Sequence, residues 1–251
     1  MKNRLVIKVV VLISITQLFL VGCSTYKSLD KAFANPKDVI ILKIKNKKIQ
    51  ELPPEIGTLT NLKTLYLFRN QLNSVPKEIG KLENLETLII SSNRLTTLPS
   101  EIGELKKLKK ISLKHNDIKY LPPELVNLSN LQVLELQYNE LDSLPTEIGK
   151  LKNLKFLYLN NNKLTSIPNQ IGGLESLQYF VIGKNSLTRI PYEIGQLESL
   201  IEFNIVDCGP MVEIPASISN LKSLEFLYID RSILLPYTIN SVNPRLRIVI
   251  Q

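Results

Sequence analysis

The stretch "LKFLYLNNNKLTSIPNQIGGLES", residues 154–176, decides the fold, because versions of it fill most of the chain. Its opening leucine recurs at a constant interval of 23 residues, at Leu62, Leu85, Leu108, Leu131, Leu154, Leu177 and Leu200. One interval before Leu62 the position holds Val39, and a step of 24 residues after Leu200 leads to Leu224. A fixed period of this length is typical of a protein built by stacking one small unit.

The first third of each unit predicts a short β-strand. In residues 154–160, Leu157 and Leu159 point to one side while Phe156, Tyr158 and Asn160 point to the other. A lone strand of this kind cannot bury its leucines, whereas stacked units share one continuous core. We therefore expect nine parallel strands in a sheet about 40 Å across.

The pattern L-x-x-L-x-L-x-x-N-x-L-x-x-L-P-x-x-I-G-x-L resembles the leucine-rich repeat family over residues 39–246. This resemblance implies an α/β solenoid of about nine repeats, shaped as a curved horseshoe with a parallel concave sheet. Short helices or 3₁₀ turns would form the convex side, where proline and a following acidic residue favour a helical first turn. Residues 247–251 are assigned to the C-terminal end.

One asparagine recurs in six consecutive repeats, at Asn70, Asn93, Asn116, Asn139, Asn162 and Asn185. We expect these amides to satisfy backbone groups where the chain leaves the sheet, in preference to forming a ligand-binding ladder. Cys208 falls on the next position, and cysteine also occurs there in this family. We interpret Cys208 as a buried core residue and not as a nucleophile.

No residue pattern indicates an enzyme. Each recurring glutamate of the Pro-x-Glu-Ile-Gly segments has a local structural explanation, and His115 has no partner histidine. The sequence contains no metal-ligand cluster and no glycine-rich phosphate loop. The net charge of +8 is too diffuse to indicate nucleic-acid binding. We predict no catalytic residue, no metal, no cofactor and no nucleic-acid partner.

The N-terminal leader indicates export. A basic start precedes an apolar run over residues 9–21, which is shorter than the roughly 20 residues that span a bilayer. The run ends in "LVGC", residues 20–23, which resembles the lipobox of bacterial lipoproteins. That resemblance implies a signal peptide over residues 1–22, and diacylglycerol and palmitate-type acyl chains on Cys23. An ordinary cleaved signal that happens to end in cysteine is the alternative.

The predicted location is a lipid anchor in the bacterial cell envelope. Ser24 is not the aspartate that favours inner-membrane retention in some bacteria, so the outer membrane is preferred. Residues 23–38 would then hold the lipidated cysteine, a short tether over Ser24–Lys27, and an amphipathic capping helix. Ser28 is expected to cap this helix and Pro36 to end it.

Function is expected on the concave face. Strand positions that point away from the leucines carry an unusual share of the aromatic residues, and packing does not require rings there. The predicted partner-binding residues are Tyr66, Phe68, Phe156, Tyr158, Tyr179, Phe226 and Tyr228. The competing explanation is that aromatic residues simply favour strands.

Two functions follow from these features. The first is a membrane-anchored, non-enzymatic protein-binding module; the second is a structural or scaffolding lipoprotein of the envelope. A carbohydrate ligand is a weaker third possibility. The alternation of Leu246, Ile248 and Ile250 predicts one more strand, whose exposed edge would support weak self-association.

Overall fold

The structure is a computed structural model that describes residues 25–241 and 244–251. The signal peptide, the lipobox and the lipidation site at Cys23 lie outside the described residues and stay predictions. Within the described ranges, no helix combines the length and the apolar character that crossing a membrane requires.

The chain forms one open parallel sheet of eleven strands, whose spatial order follows the sequence. The strands β1 to β11 are, in order, Thr25–Tyr26, Ile41–Lys43, Thr64–Tyr66, Thr87–Ile89, Lys110–Ser112, Val133–Glu135, Phe156–Tyr158, Tyr179–Val181, Glu202–Asn204, Phe226–Ile229 and Arg247–Ile250. The nine strands β2 to β10 belong to the nine repeats. The leucine-rich repeat solenoid expected from the sequence is confirmed.

The strand register explains the continuous core. Each residue pairs with its counterpart one repeat later, as Leu157 does with Phe180 and Phe180 with Phe203. The central residue of each of these strands is fully buried, while the residues on either side of it are half-buried. Side chains of the core therefore stack directly from coil to coil, as period-two alternation requires.

Ten 3₁₀ turns return the chain along the opposite side of the described region, at Pro36–Asp38, Pro54–Thr58, Lys77–Lys81, Ser100–Glu104, Pro123–Asn127, Thr146–Lys150, Asn169–Gly173, Tyr192–Gln196, Ala216–Asn220 and Tyr237–Ser241. Proline stands at the N-cap of most of them, with an extended backbone conformation. Neighbouring turns approach closely: a Cβ added at Gly149 would press against the Gln170 carbonyl oxygen of the next coil. Glycine at this position permits that approach.

The N-terminal end differs in two ways from the expectation. Helix α1 spans Leu29–Ala34 as predicted, but the Ser28 side chain makes no capping hydrogen bond, so that part of the prediction is wrong. Thr25 and Tyr26, which the sequence places in the tether, instead form β1 and pair with Ile41 and Leu42. The sheet therefore begins two residues after Cys23.

The C-terminal end adds the predicted extra strand. Strand β11 pairs with β10 from Phe226↔Arg247 to Ile229↔Ile250. Its apolar residues are less well covered than those of the repeats, and Ile250 remains 57% exposed. Leu246 and Ile248 pack partly against the core.

Candidate functional site

The recurring asparagines hold the chain where it leaves the sheet. Asn139 is 6% exposed; its Nδ2 donates to the carbonyl oxygens of Leu136 (2.9 Å) and Leu113 (3.1 Å). Its Oδ1 accepts the N–H of Ile118 at 3.1 Å. The interior asparagines repeat this arrangement, so every amide group satisfies buried backbone that water does not reach. The structural interpretation of these residues is confirmed.

Successive asparagines share their acceptors. The Leu113 carbonyl oxygen receives one bond from Asn116 at 2.8 Å and one from Asn139. In the same way the Leu136 oxygen receives bonds from Asn139 and Asn162. A continuous series of carbonyls and amides, which we call the amide ladder, therefore runs from Asn70 to Asn185 along the solenoid.

Cys208 ends the amide ladder. Its Sγ donates to the Ile182 carbonyl oxygen at 3.2 Å, the same oxygen that accepts from Asn185. The side chain is fully buried, and burial, together with the charges of Asp230 and Asp207, raises the pKa of the thiol to about 12. A thiol of this kind is not a nucleophile at neutral pH. The core role predicted for Cys208 is confirmed.

A row of left-handed residues borders the amide ladder. The residue before each ladder position has φ between 53° and 59°, at Arg69, Ser92, His115, Tyr138, Asn161, Lys184 and Asp207, and Asn46 repeats this conformation one coil before the ladder begins. This turn brings the exposed His115 ring onto Tyr138 of the next coil, with centroids 4.4 Å apart and planes 10° from parallel. His115 therefore has an aromatic neighbour, and among the described residues no hydrogen-bonded partner orients it as a catalytic base would require.

The seven predicted partner-binding aromatics all lie on the concave face, but they are half-buried and not fully exposed. Neighbouring side chains partly cover these rings, either from the same coil, as Phe226 does for Tyr228, or from the adjacent coil, as Tyr179 does for Phe156. The large apolar side chains that are truly exposed lie elsewhere, at Tyr120, Tyr138, Tyr192, Met211, Leu234, Tyr237 and Ile250. The sequence correctly placed the aromatics on this face but overestimated their exposure.

Three of these aromatics form one stacked group, which we call the aromatic trio. The Phe156 ring lies 4.9 Å from Tyr179 of the next strand, with 10° between the planes, and 6.5 Å from Tyr158. Burial raises the pKa of Tyr158, with smaller contributions from the negative charges of Glu202 and Glu135. The trio is thus a preorganised apolar platform beside two carboxylates.

Tyr66 and Phe68 lie in a separate part of the face, four strands or about 19 Å from the trio. The ammonium groups of Lys43 and Lys45 lie 5.3 and 5.6 Å from the centre of the Tyr66 ring. The Arg69 guanidinium lies 5.1 Å from the centre of Phe68. In this part of the face the chain's own cations already cover the rings.

Glu135 lies on β6, between the two aromatic regions, and belongs to an ion-pair network that the sequence analysis missed. Lys110 and Lys114 approach its carboxylate at 2.9 and 3.4 Å. Burial alone would raise the pKa of Glu135, but the hydrogen bonds from Lys110 and Ser112 and both lysine charges outweigh it, and the pKa is lowered. The lysines lie 25 and 21 residues before Glu135, so aligning the repeats would have suggested the network.

Glu202 is the second carboxylate that the sequence analysis missed. It is the first residue of β9 and pairs in register with Tyr179 on one side and Phe226 on the other. Burial raises its pKa. No hydrogen bond or ion pair connects its side chain to another side chain in the part of the chain that the structure describes.

Over the described ranges, no three His, Cys, Asp or Glu side chains come together in a group that could hold a metal ion. Among the described residues, the concave face instead carries aromatic surface, the ion-pair network of Glu135 and the half-buried carboxylate of Glu202, which has no ion-pair partner. Such a surface is equipped to bind and orient a partner.

Comparison with known families and structures gives a consistent result. A family model described as a leucine-rich repeat region matches residues 39–116 and 100–185. A leucine-rich repeat protein of Leptospira interrogans is 32% identical, and the match covers 91% of this chain and 76% of the other, with a TM-score of 0.55. None of the curated protein sequences resembles the chain closely enough to count as a match.

Two further solved structures have the same fold. A plant peptide hormone receptor, solved in complex with the hormone RGF2, is 25% identical with a TM-score of 0.67. That match covers 90% of this chain but 42% of the receptor, so the chain spans less than half of it. An internalin of Listeria monocytogenes is 16% identical with a TM-score of 0.65, over 89% of this chain and 70% of the internalin, and shows the fold alone.

Proposed function

The chain belongs to the leucine-rich repeat family, and from this premise we propose that it is a lipid-anchored, non-enzymatic module that binds a protein partner through its concave face. The observation that carries the proposal is the aromatic trio of Phe156, Tyr158 and Tyr179. Three stacked, half-buried rings on a sheet face form the kind of rigid anchor on which protein interfaces depend.

Two further observations support a protein partner. The plant receptor that shares this fold was solved with a bound peptide hormone. Polar residues stand beside the aromatic trio in the sheet register, as Glu135 does next to Tyr158 and Glu202 next to Tyr179, and protein interfaces commonly combine the two.

The lipid anchor is proposed from the sequence pattern at Cys23, and the Leptospira relative supports a bacterial source. Because β1 begins at Thr25, an anchor at Cys23 would hold the first coil against the membrane. The test is metabolic labelling with a palmitate analogue in a bacterial host. Labelling of the wild-type chain that disappears in Cys23→Ser supports the anchor, and equal labelling of both chains contradicts it.

The binding proposal is tested by replacing the aromatic trio with alanine. We expect the triple variant to lose partners that the wild-type chain captures from envelope extract, because the anchor rings are gone. A double variant, Tyr120→Ala with Tyr192→Ala, removes exposed rings outside the concave strands and provides the matched control. Capture that is unchanged in a folded triple variant would contradict the proposal and favour a scaffolding role for the lipid anchor.

Accessibility to protease on intact cells tests which side of the outer membrane the chain occupies. Cleavage would place the concave face at the cell surface, where host proteins would be within its reach. Full protection would place it in the periplasm.

Self-association through the outer edge of β11 is part of the proposal. The strand pairs with β10 on one side, and Ile250 is exposed beside the other. Light scattering at high protein concentration tests it: a mass that rises above the monomer is expected, and a constant monomer mass contradicts it. Ile250→Pro, which blocks pairing at this edge, should restore the monomer, because the N–H groups of Arg247 and Gln251 donate to β10 and that of Ile250 points to the other side.

A further inference from the structure

We propose that Glu202 and the rings around it form a receptor for one basic side chain, arginine or lysine, of the protein partner. This inference rests on the proposed binding function and adds the chemistry that the partner must carry. The group consists of the aromatic trio, Glu202 and Phe226, and we call it the cation cradle.

The sheet register creates the cation cradle. Glu202 pairs with Tyr179 of β8 and with Phe226 of β10, so its carboxylate has an aromatic residue on each side at the strand spacing of about 4.8 Å. Phe156 stacks on Tyr179 and extends the aromatic side by one more strand. The carboxylate is therefore at the centre of an aromatic surface.

The charge of Glu202 is not neutralised within the described ranges. Glu135, on the neighbouring strand β6, has Lys110 and Lys114 within ion-pair distance. Glu202 has neither a lysine nor an arginine within that distance. A half-buried carboxylate without a counter-ion carries a desolvation cost that a cation would relieve.

The rings of the aromatic trio differ in the same way from Tyr66 and Phe68, although Phe226 at the edge of the cradle already contacts Arg247. Tyr66 and Phe68 are already contacted by the chain's own cations, as described above. No described cation lies over the rings of the aromatic trio. An incoming guanidinium or ammonium would gain attraction from the ring faces together with attraction from the carboxylate.

One contact within the chain shows that this part of the face accepts such a group. The Arg247 guanidinium lies over the outer side of the cradle, 6.0 Å from the centre of the Phe226 ring. Arginine is the better fit of the two cations, because its planar group stacks on rings and binds a carboxylate with two hydrogen bonds. We therefore expect arginine to be preferred over lysine.

The experiment selects peptides from a displayed library of random twelve-residue sequences on the immobilised full chain in detergent. Four proteins are compared: wild type, Glu202→Gln, the alanine variant of the aromatic trio, and Glu198→Gln. Glu198→Gln removes the same charge four residues before Glu202, but at an exposed position before β9 and outside the sheet. It is the matched control for net charge.

The expected result is enrichment of arginine, and less of lysine, at one peptide position on wild type and Glu198→Gln. Glu202→Gln should abolish that preference. A selected peptide, synthesised with arginine and with its neutral isostere citrulline, should lose affinity about tenfold or more on either change, Arg to citrulline or Glu202→Gln. The two changes together should cost little more than one alone, because both remove the same pair.

The two proposals fail in different ways. Two results overturn the cation cradle and leave the binding function intact. In the first, enrichment of peptides depends on the aromatic trio but shows no preference for basic residues. In the second, the basic preference survives in Glu202→Gln. Failure of the trio variant to change the selected peptides overturns both. Selected peptides rich in aromatic or acidic residues would likewise contradict the proposed chemistry. Binding through a sugar chain attached to the peptides by the displaying host would contradict it as well.

Discussion

Replacing Asn139 by alanine tests the amide ladder most directly. The change removes the only described acceptor of the Ile118 N–H, a group that stays buried in the variant because Ile118 is fully buried. It also removes one of two hydrogen bonds at each of the Leu113 and Leu136 carbonyl oxygens, which keep their bonds to Asn116 and Asn162. One orphaned donor costs about 1–3 kcal/mol, and each lost bond at a still-partnered oxygen costs about 0.5–1.5 kcal/mol.

The expected loss in free energy of unfolding is therefore roughly 2–6 kcal/mol. Urea unfolding followed by circular dichroism measures it from the shift in midpoint, provided that the slope is unchanged. Asn153→Ala is the matched control, because Asn153 makes one exposed bond to the Ser129 oxygen at 2.8 Å and should cost under about 0.5 kcal/mol. A loss below about 1 kcal/mol for Asn139→Ala would refute the reasoning.

Asn139→Cys refines the same test. Cys208 occupies the last position of the ladder and keeps one bond, from its thiol to the Ile182 oxygen. We expect the free energy of unfolding of Asn139→Cys to lie between those of the wild type and Asn139→Ala. A thiol can donate to the Leu113 oxygen but accepts only weakly from the Ile118 N–H. A cysteine variant less stable than the alanine variant would contradict this account.

Three further predictions concern other parts of the solenoid. The Cys208 thiol, buried and with its pKa raised to about 12, should react with iodoacetamide at pH 8 only after unfolding in urea; mass spectrometry that finds it modified in the native chain would count against its burial. Gly149→Ala should lower the free energy of unfolding by about 1–3 kcal/mol, because the new Cβ meets the Gln170 carbonyl oxygen, although helix propensity alone favours alanine by about 1 kcal/mol. Unchanged or increased stability in urea would show that the coils can separate. Glu135→Gln should lower the free energy of unfolding by about 1–3 kcal/mol at pH 7, because it weakens the contacts with Lys110. Since the pKa of Glu135 is lowered in the folded chain, this difference should be complete above about pH 4.3 and shrink as the pH falls further, and a difference that does not change with pH would contradict the ion-pair explanation.

Sequence periodicity was sufficient for the features that repeat. The strands β2 to β10, the amide ladder and the position of Cys208 follow from an interval of 23 residues, because each repeat places the same residue type in the same environment. The seven aromatics could be assigned to the concave face for the same reason. That they bind a partner stays a prediction.

Features that depend on one place in the solenoid could not be predicted in this way. Strand β1 has no repeat pattern, since Thr25 and Tyr26 are held by pairing with the first repeat and not by a buried alternation of their own. Ser28 has a residue type suited to capping, but its side chain makes no such bond in the fold. The local preference of serine for helix N-caps predicted a capping role for Ser28, but in the folded chain its side chain does not form that hydrogen bond.

The electrostatic differences on the concave face arise between coils. Whether Glu135 or Glu202 has a counter-ion depends on side chains of neighbouring coils, more than 20 residues away in sequence. A single repeat therefore does not indicate which carboxylate is paired. The contrast becomes visible in the sequence only when the same strand position is compared across three consecutive repeats.

The shared acceptors of the amide ladder leave the length of the solenoid free to change. If residues 93–115 were removed, Asn116 would stand three residues after Ile90 and 26 after Leu67, the same separations that Asn93 has now. Every carbonyl would again meet two amides, and the joined coils would remain in register. Loss or duplication of one repeat thus shortens or lengthens the concave face by one strand, about 4.8 Å, without leaving a group of the amide ladder unpaired. In this architecture the size of the partner that fits can vary in steps through whole-repeat duplication, while the chemistry of each step varies through the residues that face it.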